Sequence, residues 1–250
     1  MKIDLNSDLG EGYGPWRMGE DEAMMGLVAS ANIACGGHAG DPETMAETSR
    51  LALSQQVTIG AHPGYADREG FGRRIIPMTP DEITRLIAAQ TGALQGVAAV
   101  VGAKVRYIKP HGALSNFASA DPQAAHAVVA AAKALDLALL AISGTEMERA
   151  AKAAGVETFA EIFADRAYLP NGQLVPRSRK DAVIHDPDLA AERLLRFIET
   201  GLMPTVGGDP VRLRAQSICV HGDNPAAVAM TRHLRDRLTA AGITIAPFLT

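Results

Sequence analysis

Four of the seven histidines end an apolar run and have glycine one or two residues later: His38 in HAGD, His62 in HPG, His111 in HGAL and His221 in HGD. Imidazole is the side chain that exchanges protons near neutral pH, and it is also the commonest metal ligand. Glycine just beyond it lets the chain turn sharply and brings backbone N–H groups close to a bound molecule. His126, His185 and His233 lie in or beside helical sequence without that context and read as structural. A lone histidine at a strand end most often only satisfies hydrogen bonds. Four in the same context, beside a lysine and several carboxylates, point to a site, because a buried charge kept as scaffold must be paired or neutralised.

Side-chain alternation places these groups on one face, since residues two apart on a strand point the same way. Asn6 pairs with Asp8 in parity, Thr58 and Gly60 with His62, Lys109 with His111, Glu161 with Asp165, and Ser217 with His221. Ile3, Leu5, Ile59, Ala61, Ile108, Ile162, Ala164, Ile218 and Val220 take the opposite face. Asp4 shares the polar parity but sits deeper, so it reads as a structural group inside the core. The catalytic candidates are therefore Asp8, His62, Lys109, His111, Glu161 and His221. Candidates for holding a substrate are Asn6, Glu11, Asn32, His38, Arg68, Arg73, Arg74, Asp165, Arg166 and Asp223. Arginine at 68, 73 or 74 would grip a carboxylate or phosphate in fork geometry. Asp8, His62, His111 and His221 mix imidazole with carboxylate as a divalent-metal site does, although no HExxH-type spacing accompanies them.

The elements that must carry these residues follow from local signals. Asp41-Pro42, Thr79-Pro80, Asp121-Pro122, Asp186-Pro187 and Asn224-Pro225 each join an N-cap residue to proline at the first helical position, and each predicts a helix start. Apolar stripes agree: Ile83, Leu86, Ile87, Leu94 and Val97; Ala191, Leu194, Leu195, Ile198 and Leu202; Ala227, Met230, Leu234 and Leu238. Gly102, Gly155, Gly201 and Gly242 stand where helices should stop. Seven β-type runs alternate with them, at 2–6, 30–35, 57–62, 105–111, 136–143, 158–165 and 216–221. Such alternation gives a parallel sheet with helical crossovers. Six of the seven runs deliver polar residues to one place, which a closed ring allows and an open sheet does not. The expected fold is an α/β single-domain seven-stranded (β/α) barrel over residues 1–250, with its site at the carboxyl ends of the strands. A polar segment at about 165–185, containing Asn171-Gly172 and several cations, interrupts the pattern and reads as a lid, a docking loop or a plain hairpin insertion.

Composition narrows the partners. A hydrophobic fraction of 47% with 21% charged residues supports a substantial core. The net charge of −4 and scattered cations give no footprint for nucleic acid or an anionic membrane. The apolar stretch near 83–101 is broken by Arg85, Gln90, Thr91 and Gln95, so no membrane span is expected. Two cysteines, Cys35 and Cys219, form neither a disulfide framework nor a metal clip, and the first residues, MKIDLNSDLGEG, lack the apolar stretch of an export signal. A cytoplasmic protein is expected. There is no GxxxxGK[ST] or GxGxxG phosphate motif and no GxSxG elbow, and Cys35 beside His38 is a weak thiol-nucleophile candidate.

The stretches DLNSDLGEG (4–12), ANIACGGHAGDP (31–42), GAHPGYADREGFGRR (60–74), IKPHGAL (108–114), EIFADRAY (161–168) and VHGD (220–223) together resemble the LamB/YcsF family, in order and over nearly the whole chain. The resemblance implies a barrel of the glycoside hydrolase/deacetylase type. It implies an ATP-dependent 5-oxoprolinase reaction, opening 5-oxo-L-proline to L-glutamate with ATP as co-substrate, and two partner subunits, B and C. Gly37 and Ser115 depart from it where a bulkier aromatic residue is expected, which would alter pocket shape. Two rival readings stay open: a metal-dependent amide hydrolase or deacetylase acting alone, and a noncatalytic subunit that holds the lactam while partners transfer phosphate.

Overall fold

The computed structural model describes residues 1–249. In chain order the elements are β1 (Lys2–Leu9), α1 (Asp21–Met25), β2 (Ser30–Ala34), α2 (Pro42–Ser54), β3 (Thr58–His62), α3 (Pro80–Val100), β4 (Val105–Ile108), α4 (Gly112–Ala120) and α5 (Pro122–Ala134). They continue with β5 (Ala138–Ile142), α6 (Glu146–Ala153), β6 (Thr158–Phe163), α7 (Pro187–Thr200), β7 (Leu202–Thr205), β8 (Gly208–Arg212), β9 (Ser217–Cys219), α8 (Pro225–Ala240) and β10 (Thr244–Ile245).

All five cap–proline pairs open a helix, and each cap side chain accepts a backbone N–H from the first turn. At α3 the capping box is complete: Thr79 accepts from the Glu82 N–H, and the Glu82 carboxylate accepts from the Thr79 N–H at 2.7 Å. Gly102, Gly155, Gly201 and Gly242 all have positive φ just past helix ends, where a Cβ would be strained.

The seven expected strands are the staves of a closed parallel barrel, β1-β2-β3-β4-β5-β6-β9, with β9 paired to both β6 and β1. Two features are additional. β10 adds two residues to the amino end of β1, pairing Thr244 with Lys2 and Ile245 with Ile3. β7 and β8 form an antiparallel hairpin outside the ring, closed through Val206 and Gly207, whose φ is +78°. The 165–185 segment folds back on itself through the Arg166–Val183 and Tyr168–Leu174 bridges, and Tyr168 also bridges Thr205 of that hairpin.

The apolar parity of the strands packs outward against the helices. Leu5, Ile33, Ile59, Ile108, Leu139, Ile162 and Ile218 join Ile83, Ile87, Leu94, Leu194 and Leu234 in one cluster, all essentially inaccessible. Each such side chain contributes about 1.5–3 kcal/mol of burial. The inner parity differs: Tyr107, Leu140 and Leu249 plug the amino end, and above them the bore is filled with hydrogen-bonded polar groups. Gly60 makes this possible, because a Cβ there would stand 2.2 Å from the Tyr107 ring. Among the described residues no helix is long and apolar enough to cross a membrane.

Candidate active site

The polar bore begins at Asp4, which accepts from the hydroxyls of Ser30 (2.6 Å) and Ser217. Burial pushes its carboxyl up to about 7. One step along the strands, Asn6 donates to Glu161 (2.8 Å) and Ser217 (2.7 Å) and accepts from Asn32 at 2.7 Å. Asn32 also donates to Asp8 at 2.8 Å and accepts from the Tyr107 hydroxyl at 2.6 Å. These bonds follow from register, since Asp8 stands opposite Asn32, Asn32 opposite Gly60, and Glu161 opposite Ser217.

Lys109 closes this network from above. Its Nζ lies 2.9 Å from Asp8, 3.0 Å from Glu161, 3.1 Å from Asn6 Oδ1 and 3.3 Å from Cys219 Sγ. Burial opposes its charge, but Asp8, Cys219 and Glu161 outweigh that and hold the ammonium well above its usual range. Burial likewise opposes ionisation of Asp8, and His62 and Lys109 outweigh it, holding the carboxylate well below its ordinary value. Lys109 and His111 lie just beyond the end of β4, yet the strand pattern persists, with Lys109 N–H donating to Ala61 O and His111 N–H to Pro63 O.

Above this floor lie three histidines. His62 Nδ1 donates to Lys109 O at 2.7 Å and His111 Nε2 donates to Phe71 O at 2.8 Å, because a carbonyl can only accept. Their other nitrogens, His62 Nε2 and His111 Nδ1, face each other at 3.0 Å, and Asp8 Oδ2 lies 3.2 Å from His62 Nε2. The His38 ring stacks on His111 with centroids 3.6 Å apart, and its Nε2 meets Glu11 at 3.1 Å. Burial, then the neighbouring imidazoles, keep His38 and His111 well below the usual histidine range, so both are neutral. Burial, reinforced by the charge of Asp8, pushes the Glu11 carboxyl up to about 8.

A cavity of about 470 Å³ opens over these groups. Its lining brings together nine of the sixteen candidates: Asp8, Glu11, His62, Arg73, Lys109, His111, Arg166, His221 and Asp223. Asn6, Asn32 and Glu161 lie beneath the floor, tied to it by the bonds above. His38 and Asp165 stand behind the wall, where Asp165 Oδ2 accepts from His221 Nδ1 at 2.8 Å. The structure does not bring Arg68 or Arg74 to the cavity. Arg74 binds Asp67 and is mostly exposed, and Arg68 lies 3.8 Å over the Tyr13 ring and donates to Gly36 O. Arg166 reaches the lining, but its guanidinium donates to Val175 O (2.6 Å) and Ala182 O (3.3 Å), which ties the 165–185 segment together.

That segment roofs the cavity with Gln173, Leu174, Val175, Pro176 and Arg177, and Arg177 approaches His221 Nε2 at 3.4 Å. Arg177, Asn116 and Gln173 are lining residues that sequence reasoning did not single out; only the cationic, turn-rich character of 165–185 hinted at Arg177. Ser115 lines the cavity, whereas a side chain at position 37 would meet Gln90 at 2.5 Å instead. Cys35 is no nucleophile: it is buried, burial pushes its thiol up to about 12, and Sγ donates to Ile33 O.

Comparison with known proteins agrees with this architecture. Residues 3–250 match the LamB/YcsF family. The 5-oxoprolinase A-subunit of Azorhizobium caulinodans is 51% identical over 248 residues, covering 98% of each chain. That of Rhodopseudomonas palustris strain CGA009 is 50% identical, covering 99% of each. The crystal structure of the lactam utilization protein from Thermus thermophilus superposes with a TM-score of 0.93 at 41% identity, over 99% of this chain and 100% of that one. A putative cellobiose-phosphate cleavage protein from Enterococcus faecalis shares the fold at a TM-score of 0.57 and 15% identity, over 98% and 96% of the two chains.

Proposed function

Because this chain belongs to the LamB/YcsF family, we propose that it is the subunit of an ATP-dependent 5-oxoprolinase in whose cavity the lactam ring of 5-oxo-L-proline is opened to L-glutamate, in company with subunits B and C. The relatives' names supply the substrate class. The observation that carries the reading is the cavity itself, which is sized for a small molecule and is lined by an ionised carboxylate, a fixed ammonium, the neutral imidazole of His111 and the cations Arg73 and Arg177.

The chemistry sets what these residues must do. A five-membered lactam is a resonance-stabilised amide and a poor target for water. ATP transfers its terminal phosphoryl group to the amide oxygen and leaves as ADP, which makes the lactam imidate-like; water then adds at the former carbonyl carbon, the ring C–N bond breaks as the nitrogen takes a proton, and hydrolysis of the resulting acyl phosphate releases inorganic phosphate and L-glutamate. Water needs a base, and Asp8 serves, kept ionised by Lys109 and His62. Lys109 has all its contacts inside the floor, so its part is to hold Asp8 in place and in charge, and it does not move onto substrate. The departing ring nitrogen needs a proton, and His221, whose imidazole Asp165 raises above its usual range, faces the cavity to give one. Arg73 and Arg177 are the lining cations for the substrate carboxylate and the activating phosphate. The roof loop limits bulk water, which would otherwise compete for an activated intermediate.

The test is 5-oxoproline-dependent ATP hydrolysis and glutamate release by the chain combined with its two partner subunits. Lys109→Ala and His111→Ala should each lower glutamate release by roughly 100-fold or more. Full activity in both variants would sink this site. Calorimetry with the isolated chain should show binding of the lactam or its phosphorylated form; glutamate production by the chain alone, without ATP, would replace this reading with that of a free-standing amide hydrolase.

A further inference from the structure

We infer that Glu11, His38, His62 and His111 form a divalent-metal site in the cavity wall, of the chemical class that takes zinc. One ligand atom from each lies within 4.8 Å of every other. The inference rests on hydrogen-bond accounting. Lys109 O and Phe71 O each accept a ring N–H, from His62 Nδ1 and His111 Nε2. Their remaining nitrogens, His62 Nε2 and His111 Nδ1, confront each other at 3.0 Å, a contact that needs a cation or a proton between them. The Asp8 carboxylate adds a third group with lone pairs 3.2 Å from His62 Nε2, and a Glu11 oxygen lies 3.7 Å from His111 Nδ1. Where His62 Nε2 meets both His111 Nδ1 and Asp8, a positive species is required among the three.

The spacing suits a metal ion. Zinc at ~2.0–2.1 Å from each donor sets neighbouring donors ~3.4 Å apart in a tetrahedron. The donor separations here are 3.0 Å for His62–His111, 3.1 Å for His38–Glu11 and 3.7 Å for His111–Glu11. The carbonyl acceptors on the far nitrogens of His62 and His111 are the outer contacts that orient imidazole ligands. Three imidazoles with one carboxylate favour zinc over magnesium or calcium. Glu11, His62 and His111 also line the cavity, so an ion held there would face a bound molecule. The rival is an imidazolium in which His62 carries a second proton.

The isolated chain, stripped with a chelator and dialysed, is titrated with zinc and with cobalt(II). One equivalent should bind per chain, raise Tm and, for cobalt, give the visible absorption of a four-coordinate nitrogen–oxygen site. His62→Gln and His111→Gln should weaken binding by at least ~100-fold, the upper end of an outer-contact change. His221→Asn, in the same cavity, should bind as the parent does. If both glutamine variants fail to fold, Glu11→Gln carries the comparison through its loss of affinity and altered cobalt spectrum. No binding, or equal binding in parent and variants, overturns the site, as does a His62 ring shown by NMR to be doubly protonated in protein that takes up no metal. None of these measurements uses lactam or ATP, so their failure leaves the ring-opening reading intact, and inactivity of a metal-loaded chain leaves the metal site intact.

Discussion

The ammonium of Lys109 lies 2.9 Å from Asp8 on β1 and 3.0 Å from Glu161 on β6, so one buried cation serves two carboxylates on different strands. Burial raises the Glu161 carboxyl while Lys109 pulls it down, which leaves that charge dependent on the lysine.

Removing the cation alone should therefore cost more than removing it together with one of its carboxylates. Lys109→Ala leaves two buried carboxylates uncompensated, and unfolding free energy should fall by ~3–5 kcal/mol. Lys109→Met combined with Glu161→Gln should lose less than the sum of the singles, because the second change removes the charge that the first strands. Urea unfolding of the parent, Lys109→Met, Glu161→Gln and the double variant completes the cycle, and additive losses would show that Lys109 and Glu161 are not coupled.

Asp4 gives a pH signature of the opposite kind. Its carboxyl is pushed by burial from an ordinary 3.8 to about 7. A raised folded value means that its contribution to stability is full below about 3.8 and is lost as pH rises through about 7. Asp4→Asn should gain on the parent between pH 5 and pH 8, by a few kcal/mol at most at ~1.4 kcal/mol per unit. Paired thermal melts at the two pH values read this out, and a constant difference would sink it.

The Asp165–His221 pair should control a titration in the cavity. Burial opposes the His221 charge and Asp165 outweighs it, raising the imidazole above its usual range; the same bond holds Asp165 low against its own burial. The stability from His221 is full below the ordinary histidine value and fades as pH rises through the raised one, whereas that from Asp165 is lost as pH falls through its lowered one. Asp165→Asn should lower the His221 value by NMR and move the alkaline limb of the activity profile to lower pH. An unmoved limb with a lowered His221 value would remove His221 from the role of proton donor.

Much of this was legible in the sequence because the signals are local. A cap followed by proline fixes a helix start within three residues, and strand parity assigned Asn6, Asp8, Lys109, Glu161 and Ser217 to one face before any contact was known. Tyr107, which the sequence reading did not single out, enters the bore in the structure, and its register against Gly60 shows why a ring that size fits. The β7–β8 hairpin went unread although Val206-Gly207 is a two-residue turn, since Pro204 and Pro210 argue against strands. Arg68 and Arg74 looked like substrate clamps because charge and proximity to His62 are all a sequence displays. Their partners, the Tyr13 ring and Asp67, are set by loop geometry, and the same blindness hid Arg177, which reaches the cavity only because the roof folds back.

That roof depends on two buried arginines acting in series. Arg193 donates to Phe163 O (2.8 Å), Ala164 O (2.7 Å) and Arg166 O (2.6 Å), which fixes the chain where it leaves β6. Arg166 then donates to Val175 O and Ala182 O, pulling the two arms of the loop together. Hydrogen bonds to a charged group are worth ~1.5–3 kcal/mol each, so Arg193→Met, which strands three carbonyls, should lower global stability by several kcal/mol. Arg166→Met should act locally instead: trypsin should cut after Arg177, Arg179 or Lys180 at least ~10-fold faster, the rate of a segment whose opening costs less. KM for the lactam or its activated form should rise more than kcat falls, because the roof positions and encloses and performs no chemistry. Cleavage and KM that both match the parent would show that the roof is held by its backbone bridges, Arg166–Val183 and those of Tyr168, without the guanidinium.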